Sequence, residues 1–317
     1  MGDASLIPSR MRLLLYPERV EYAMRKHEHF DLWLHTDDEL AAILGTKVAA
    51  REQLRAWPLS VVERISLHDG TSAVYKVFRG LPIETEVYRH VCAPFIPKAL
   101  YNHSEGEQQW LLLEAVEGRH PSSLNIDELH ELGGHVRALL NGLDAPFPLR
   151  YDLSEPGFES YRHSLVALLR KLRSAGKLNN FDASAITRVD DALRHPDVVE
   201  TTRSRCGVLH GDLKCDNILI RPNGKLTIID WQNMLYGPET IDVCGLIATQ
   251  GIDPVPRLSI GPELLRLALE ISWFASCLDR WMPDAGFLEG LIINIEKHMH
   301  HLAKRGSYEG LGLYYFH

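Results

Sequence analysis

Strand-forming and helix-forming patterns are segregated along this chain, and that segregation bounds the folds open to it. Val61–Leu67 and Ala73–Phe78 are rich in β-branched and aromatic residues, and the turn signal His68-Asp69-Gly70-Thr71-Ser72 separates them. A helix is expected over about Ile83–Val91, then another apolar strand over Gln109–Val116. After Gly118 the apolar spacing becomes helical. Leu129, Leu132, Val136, Leu139, Leu140 and Leu143 share one side of Ile126–Leu143, and Ser160–Ala175 and Ala183–Leu193 read the same way. A last stripe runs through Leu288, Leu291, Ile292, Ile295, Met299 and Leu302. Gly133-Gly134 weakens the first of these helices unless a neighbour packs closely there. Upstream, residues 10–56 read as short helices, with a start signal at Thr36-Asp37-Asp38-Glu39 and helical spacing through Leu40, Ala41, Leu44, Ala49 and Leu54. The expectation is an α+β protein in three parts: a helical extension over 1–56 capping the sheet lobe, a small antiparallel sheet lobe over 57–116, and a larger, mostly helical lobe over 117–317. A cleft between two lobes is where a ligand site belongs.

The helical part is interrupted by Gly207-Val208-Leu209, by Asn217–Ile220, and by Leu226–Ile229 after the turn Pro222-Asn223-Gly224, which is a hairpin signal. Polar residues crowd the ends of these runs. Asp212 follows the first run in a polar loop, Asn217 begins the next, and Asp230 ends the return strand, so three oxygen-bearing side chains converge at one end of a hairpin. Such a set suits phosphoryl transfer, which needs a carboxylate to orient a hydroxyl and oxygen ligands for Mg²⁺ on the phosphates.

His210-Gly211-Asp212 with Asn217 five residues after the aspartate, followed by Ile229-Asp230-Trp231, resembles the aminoglycoside phosphotransferase and choline kinase superfamily. The resemblance covers about residues 60–305 and implies a two-lobed protein-kinase-like fold using ATP and Mg²⁺. It implies Asp212 as catalytic base, Asn217 and Asp230 as metal ligands, and His210 as support of the loop. Lys76, on a strand after the turn, would hold the α- and β-phosphates, with Glu84 or Glu86 of the following helix as its carboxylate partner; Tyr88, four residues after Glu84, favours Glu84. Gly70, Thr71 and Ser72 would position nucleotide phosphates, and Glu114 to Val116 would meet adenine. Lys214 either steadies the transferring phosphate or is solvated, and Asp242 reads as a buried brace of the loop. Trp273 and Trp281, near Asp279 and Asp284, lie where the family often builds its acceptor pocket, and would suit a cationic acceptor if they are not simply core.

Composition narrows the partners. With 45% hydrophobic and 24% charged residues, the 317-residue chain has the mix of a soluble globular protein. A net charge of -8 argues against broad nucleic-acid binding, and no apolar run is long enough to span a bilayer. No secretory signal is read at the start, and five cysteines without a Cys-x-x-Cys pair fit a reducing cytoplasm. The histidines at 298, 300 and 301 read as a polar helix end. The expected partner is a small molecule with a hydroxyl: an aminoglycoside-like or other antibiotic first, then a metabolite alcohol of the choline, ethanolamine, homoserine or fructosamine kind. A protein kinase is disfavoured because only a short stretch separates Asp230 from Asp242 and Gly211 follows the loop histidine. The intact set of Lys76, Asp212, Asn217 and Asp230 argues against a non-catalytic nucleotide-binding protein.

Overall fold

The computed structural model describes residues 24–143, 145–178, 183–282, 300, 303 and 304. The first lobe opens with a short pair, β1 (Arg25–Lys26) and β2 (Trp33–Leu34), and helix α1 (Asp37–Leu44). Thr36 and Glu39 close a reciprocal capping box at the start of α1. Then come β3 (Val48–Trp57), β4 (Ser60–Leu67), β5 (Ser72–Arg79), α2 (Ile83–His90), β6 (Ala99–Glu105) and β7 (Gln108–Glu114). The five long strands form one antiparallel sheet in the order β3-β4-β5-β7-β6.

The helical reading of residues 49–54 is overturned. Ala49-Ala50-Arg51-Glu52-Gln53-Leu54 is built of good helix formers, yet it pairs with β4 over the whole of β3. Strand pairing overrides intrinsic preference, and the same charged residues suit an edge strand, since they discourage further pairing. Two register shifts, one between Gln53 and Arg55, re-aim side chains along this edge. Strand β6 gave no sequence signal: Leu-Tyr-Asn-His-Ser carries little alternation, and its place is set by β7.

Alternation in β5 and β7 divides the lobe. Ala73, Tyr75 and Val77 pack with Trp110 and Leu112 on one face, under Leu32, Leu34 and Leu40 of the N-terminal segment. Phe78, Leu111 and Leu113 turn to the other face, against Ile83, Val87 and Tyr88 of α2 and against Trp231. Lys76 shares that second face by the period of two, so it points toward the other lobe.

A linker after β7 leads to α3 (Ile126–Leu140), α4 (Glu155–Ser174), α5 (Ala183–Leu193) and α6 (Pro196–Arg203). Then come β8 (Cys206–Leu209), β9 (Ile218–Ile220), β10 (Leu226–Ile228) and β11 (Leu235–Pro238). Helices α7 (Thr240–Ala248), α8 (Val255–Leu258) and α9 (Ile260–Ser276) complete the described lobe. β9 and β10 form the expected hairpin. β11 is a further interruption of the helical part, with no strand signal in its sequence, and pairs antiparallel with β8. The close neighbour that Gly133 needs is Val243 of α7, whose Cγ2 would stand 3.0 Å from an added Cβ. The C-terminal stripe from Leu288 to Leu302 lies outside the described residues. Among the described residues, no helix is long and apolar enough to cross a membrane.

Candidate active site

Two short sheets hold the polar loop from both sides. β8 delivers His210 and β9 receives Asn217, while β10 ends beside Asp230. His210 is wholly buried, and its hydrogen bonds define its role. Its backbone N–H donates to Asp242 Oδ2 at 2.8 Å, and Nε2 faces the Ile229 carbonyl at 2.9 Å. Nδ1 faces the Asp212 N–H at 3.3 Å. A carbonyl on one nitrogen and an N–H on the other assign the neutral tautomer with hydrogen on Nε2. His210 thus ties the Asp212 loop to the segment carrying Asp230 and has no contact that would let it exchange a proton with a substrate.

Asp242, at the start of α7, accepts from the His210 and Gly211 amides at 2.8 and 2.9 Å. Burial raises its pKa, opposed by these donors. Gly211 has φ +79, and an added Cβ would lie 2.1 Å from the Asn233 carbonyl oxygen. Only glycine fits there. Asn217 closes the loop, donating from Nδ2 to the Asp212 carbonyl at 2.8 Å and accepting the Ile229 N–H on its own carbonyl at 3.0 Å.

Asp230 adopts φ +68 and ψ 58. Left-handed backbone is tolerated by Asp better than by most residues but costs on the order of 1 kcal/mol. That turn aims its carboxylate across the cleft at Lys76. Lys76 Nζ donates to Asp230 Oδ1 at 2.6 Å and to Glu84 Oε2 at 2.5 Å. Glu84 is therefore the lysine's partner. Glu86 instead binds Arg89 and His90 at the surface. Burial opposes the Lys76 charge, but Asp230 and Glu84 outweigh it and hold its pKa above the ordinary lysine value. Burial likewise works against the Asp230 carboxylate, and Lys76 outweighs it, so Asp230 stays ionised below the usual aspartate range.

Asp212 and Asp230 open on one cleft of about 380 Å³. Burial raises the Asp212 carboxyl, as does neighbouring Asp230, while Lys214 lowers it from 3.0 Å. Lys214 is thus paired to Asp212 and only partly exposed; Asp216 is exposed. The remaining expected residues lie apart. The turn bearing Gly70, Thr71 and Ser72 stands at the far end of β5, closed by Asp69 accepting from Thr71, and does not line the cleft. Glu114 pairs with Ala73 at that same end of the sheet, and Glu114 to Glu117 line a separate recess with Arg221 to Asn223.

The far wall of the cleft was not legible in the sequence. It includes Arg55 of β3, Arg150, Tyr151, Asn233, and Arg266, Glu270 and Trp273 of α9. The Arg150 guanidinium lies 4.9 Å from the Trp273 ring centre and 5.3 Å from that of Tyr151. Trp273 therefore spends that contact on Arg150 and gives no support to a cationic pocket. Asp279 is bound to Lys171 at 2.7 Å and does not line the cleft, and Asp284 lies outside the described residues. His300 is described, whereas residues 298 and 301 are not. Among the described residues, no group of three or more His, Cys, Asp or Glu is arranged to hold a metal.

A search of curated proteins finds no match for this chain. Among solved structures, an apo thermostable mutant of aminoglycoside phosphotransferase APH(4)-Ia is 16% identical with a TM-score of 0.58, over 86% of this chain and 100% of the other. A ternary complex of a mutant of that enzyme with ADP and hygromycin B is 15% identical with a TM-score of 0.57, over 86% of this chain and 99% of the other. Macrolide 2'-phosphotransferase MphH from Brachybacterium faecium is 16% identical with a TM-score of 0.52, over 81% of this chain and 96% of the other. These likenesses establish the two-lobed kinase-like fold. The family model of the APH phosphotransferases, described as the phosphotransferase enzyme family, matches residues 61–261. With most of the chain covered, including Lys76, the His210–Asn217 loop and Asp230, the protein belongs to the phosphotransferase enzyme family.

Proposed function

We propose that this protein transfers the γ-phosphate of ATP to a hydroxyl of a small molecule. One observation carries the reading: the sheet lobe and the helical lobe meet at Lys76 and Asp230, 2.6 Å apart, with Asp212 opening on the same cleft. Lys76, fixed by Glu84, is the phosphate ligand. Asp212 orients the acceptor hydroxyl and takes its proton, and its raised pKa makes it a better base than an ordinary aspartate. Lys214 neutralises charge beside it, and His210 and Asp242 position the loop. Glu114 and Val116 border the recess we assign to adenine, and the turn of Gly70, Thr71 and Ser72, at the same end of the sheet but outside the Asp212 cleft, would close over the nucleotide. Catalysis in such a site is positioning and charge stabilisation.

Asn217 and Asp230 fit Mg²⁺ by donor chemistry. Asn217 spends its amide N–H on Asp212, leaving an amide oxygen, and Asp230 offers a carboxylate that Lys76 engages through one oxygen. Both are hard oxygen ligands of the kind Mg²⁺ takes together with phosphates and water. Held there, Mg²⁺ would offset the negative charge that builds on the phosphates.

The test is ATP consumption by the purified protein against an acceptor panel, with Asp212→Ala as control. The variant should keep Mg²⁺-dependent nucleotide binding and lose transfer; a rate within a few-fold of wild type would end the base assignment. An antibiotic acceptor is suggested by hygromycin B in the complex of the APH(4)-Ia mutant. A metabolite alcohol is the second reading, and the Arg150 guanidinium favours one that carries an anionic group.

A further inference from the structure

Granting the phosphotransferase reading, the charges of the cleft bear on the acceptor. Each carboxylate lining it is already engaged. Asp212 holds Lys214, Asp230 holds Lys76, Asp242 takes two backbone amides, and Glu270 is bound to Arg266. Arg266 also binds Glu263, at 2.7 and 3.0 Å, so its own donors are spent on protein carboxylates. Two cations lining the cleft have no carboxylate within 4.0 Å among the described residues: Arg55 and Arg150. Arg55 is exposed on the edge strand. Arg150 is half-buried, and its Nη1 donates to Asn233 Oδ1 at 3.0 Å.

Arg150 is also preorganised. Trp273 and Tyr151 hold its guanidinium at 4.9 and 5.3 Å, and Asn233 fixes its rotation. A guanidinium has five N–H donors in a rigid fork that matches a carboxylate or phosphate. Held this way, and with no carboxylate partner among the described residues, it offers unspent donors to whatever enters. A polyamine would bring like charge against Arg150 and Arg55. We propose that the acceptor is a hydroxylated anion, its carboxylate or phosphoryl group seated on the Arg150 fork so that a hydroxyl reaches Asp212.

The test uses matched ligands that differ in charge. Glycerate, glycerol 3-phosphate, glycerol and serinol form one set; glucuronate, glucose 6-phosphate, glucose and glucosamine form another. Affinities are measured by saturation-transfer NMR on the full chain with Mg²⁺ and AMP-PNP, in wild type, Arg150→Met and Arg150→Lys. In at least one set an anion should bind tenfold or more tightly than its neutral and cationic counterparts. Whether carboxylate or phosphate wins identifies the group. Arg150→Met should abolish the preference, and Arg150→Lys, which keeps charge but loses the fork, should keep part of it. Equal or better binding of the cations, no binding of any anion, or a preference that survives Arg150→Met each overturns the proposal. An equal loss of AMP-PNP affinity in Arg150→Met also overturns it, by making Arg150 a nucleotide ligand. Failure of wild type to bind AMP-PNP with Mg²⁺ would instead sink the phosphotransferase reading, and charge preference, read on the acceptor side, would still be measured.

Discussion

Gly211→Ala tests the architecture of the Asp212 loop most directly. The new Cβ would lie 2.1 Å from the Asn233 carbonyl oxygen, where ordinary contact begins at 3.4 Å, so loop or carbonyl must retreat by most of that difference. Alanine at φ +79 adds about 1 kcal/mol of backbone strain. Retreat of the loop stretches the Gly211 N–H bond to Asp242, a hydrogen bond to a charged group contributing about 1.5–3 kcal/mol. Together the variant should lose about 3 kcal/mol or more by urea denaturation, which a domain of ordinary stability survives. Asp212 follows Gly211 directly, and a displacement of about 1 Å at a reacting group is enough to cost on the order of 100-fold in kcat. Gly224→Ala is the control. It has φ +77 but nothing within 4 Å of its Cβ, so it should show the strain of about 1 kcal/mol and leave turnover unchanged. If Gly211→Ala matches that control in both stability and kcat, the close approach to Asn233 does not hold the loop.

Three further outcomes are expected. Lys76→Met leaves Glu84 and Asp230 without their buried cation and should cost about 3–5 kcal/mol at neutral pH. Because those carboxylates then gain by protonation, the variant should recover stability as pH falls in urea melts at pH 8 and pH 5; a loss that does not shrink would refute the coupling. Buried His35 shares a hydrogen bond between its Nδ1 and the Tyr75 hydroxyl at 2.8 Å, and burial lowers its pKa to about 4. The unfolded chain binds that proton first, so stability is full above pH 6.5 and falls by about 3 kcal/mol as pH drops toward 4, a slope that His35→Gln should flatten. Finally, burial raises Asp212, so the acid limb of kcat/KM should lie above the ordinary aspartate pKa of about 4. Lys214→Met should move that limb to higher pH, because Lys214 lowers Asp212; an unmoved limb would assign it to another group.

The sequence by itself determined the two-lobed division and the spacing of the residues proposed to handle phosphate, because both depend on short-range pattern. Strand alternation in β4 and β5 and the spacing of His210, Gly211, Asp212 and Asn217 are local properties, readable within a dozen residues. The family resemblance, through Tyr88, pointed to Glu84 over Glu86, and the buried bond to Lys76 agrees. What tertiary structure decided is whatever depends on a distant partner. Ala49–Leu54 has helical composition and became strand β3 because β4 stood ready to pair with it. β11 formed against β8 although its sequence, Leu-Tyr-Gly-Pro, carries no strand signal. The far wall of the cleft brings together residue 55 on an edge strand, residue 150 in a loop and residue 273 on α9. No spacing in the chain encodes that meeting. Trp273 and its nearby aspartates suggested a cationic acceptor; folding instead laid Arg150 over the tryptophan, because a half-buried guanidinium seeks an aromatic face when no carboxylate is at hand.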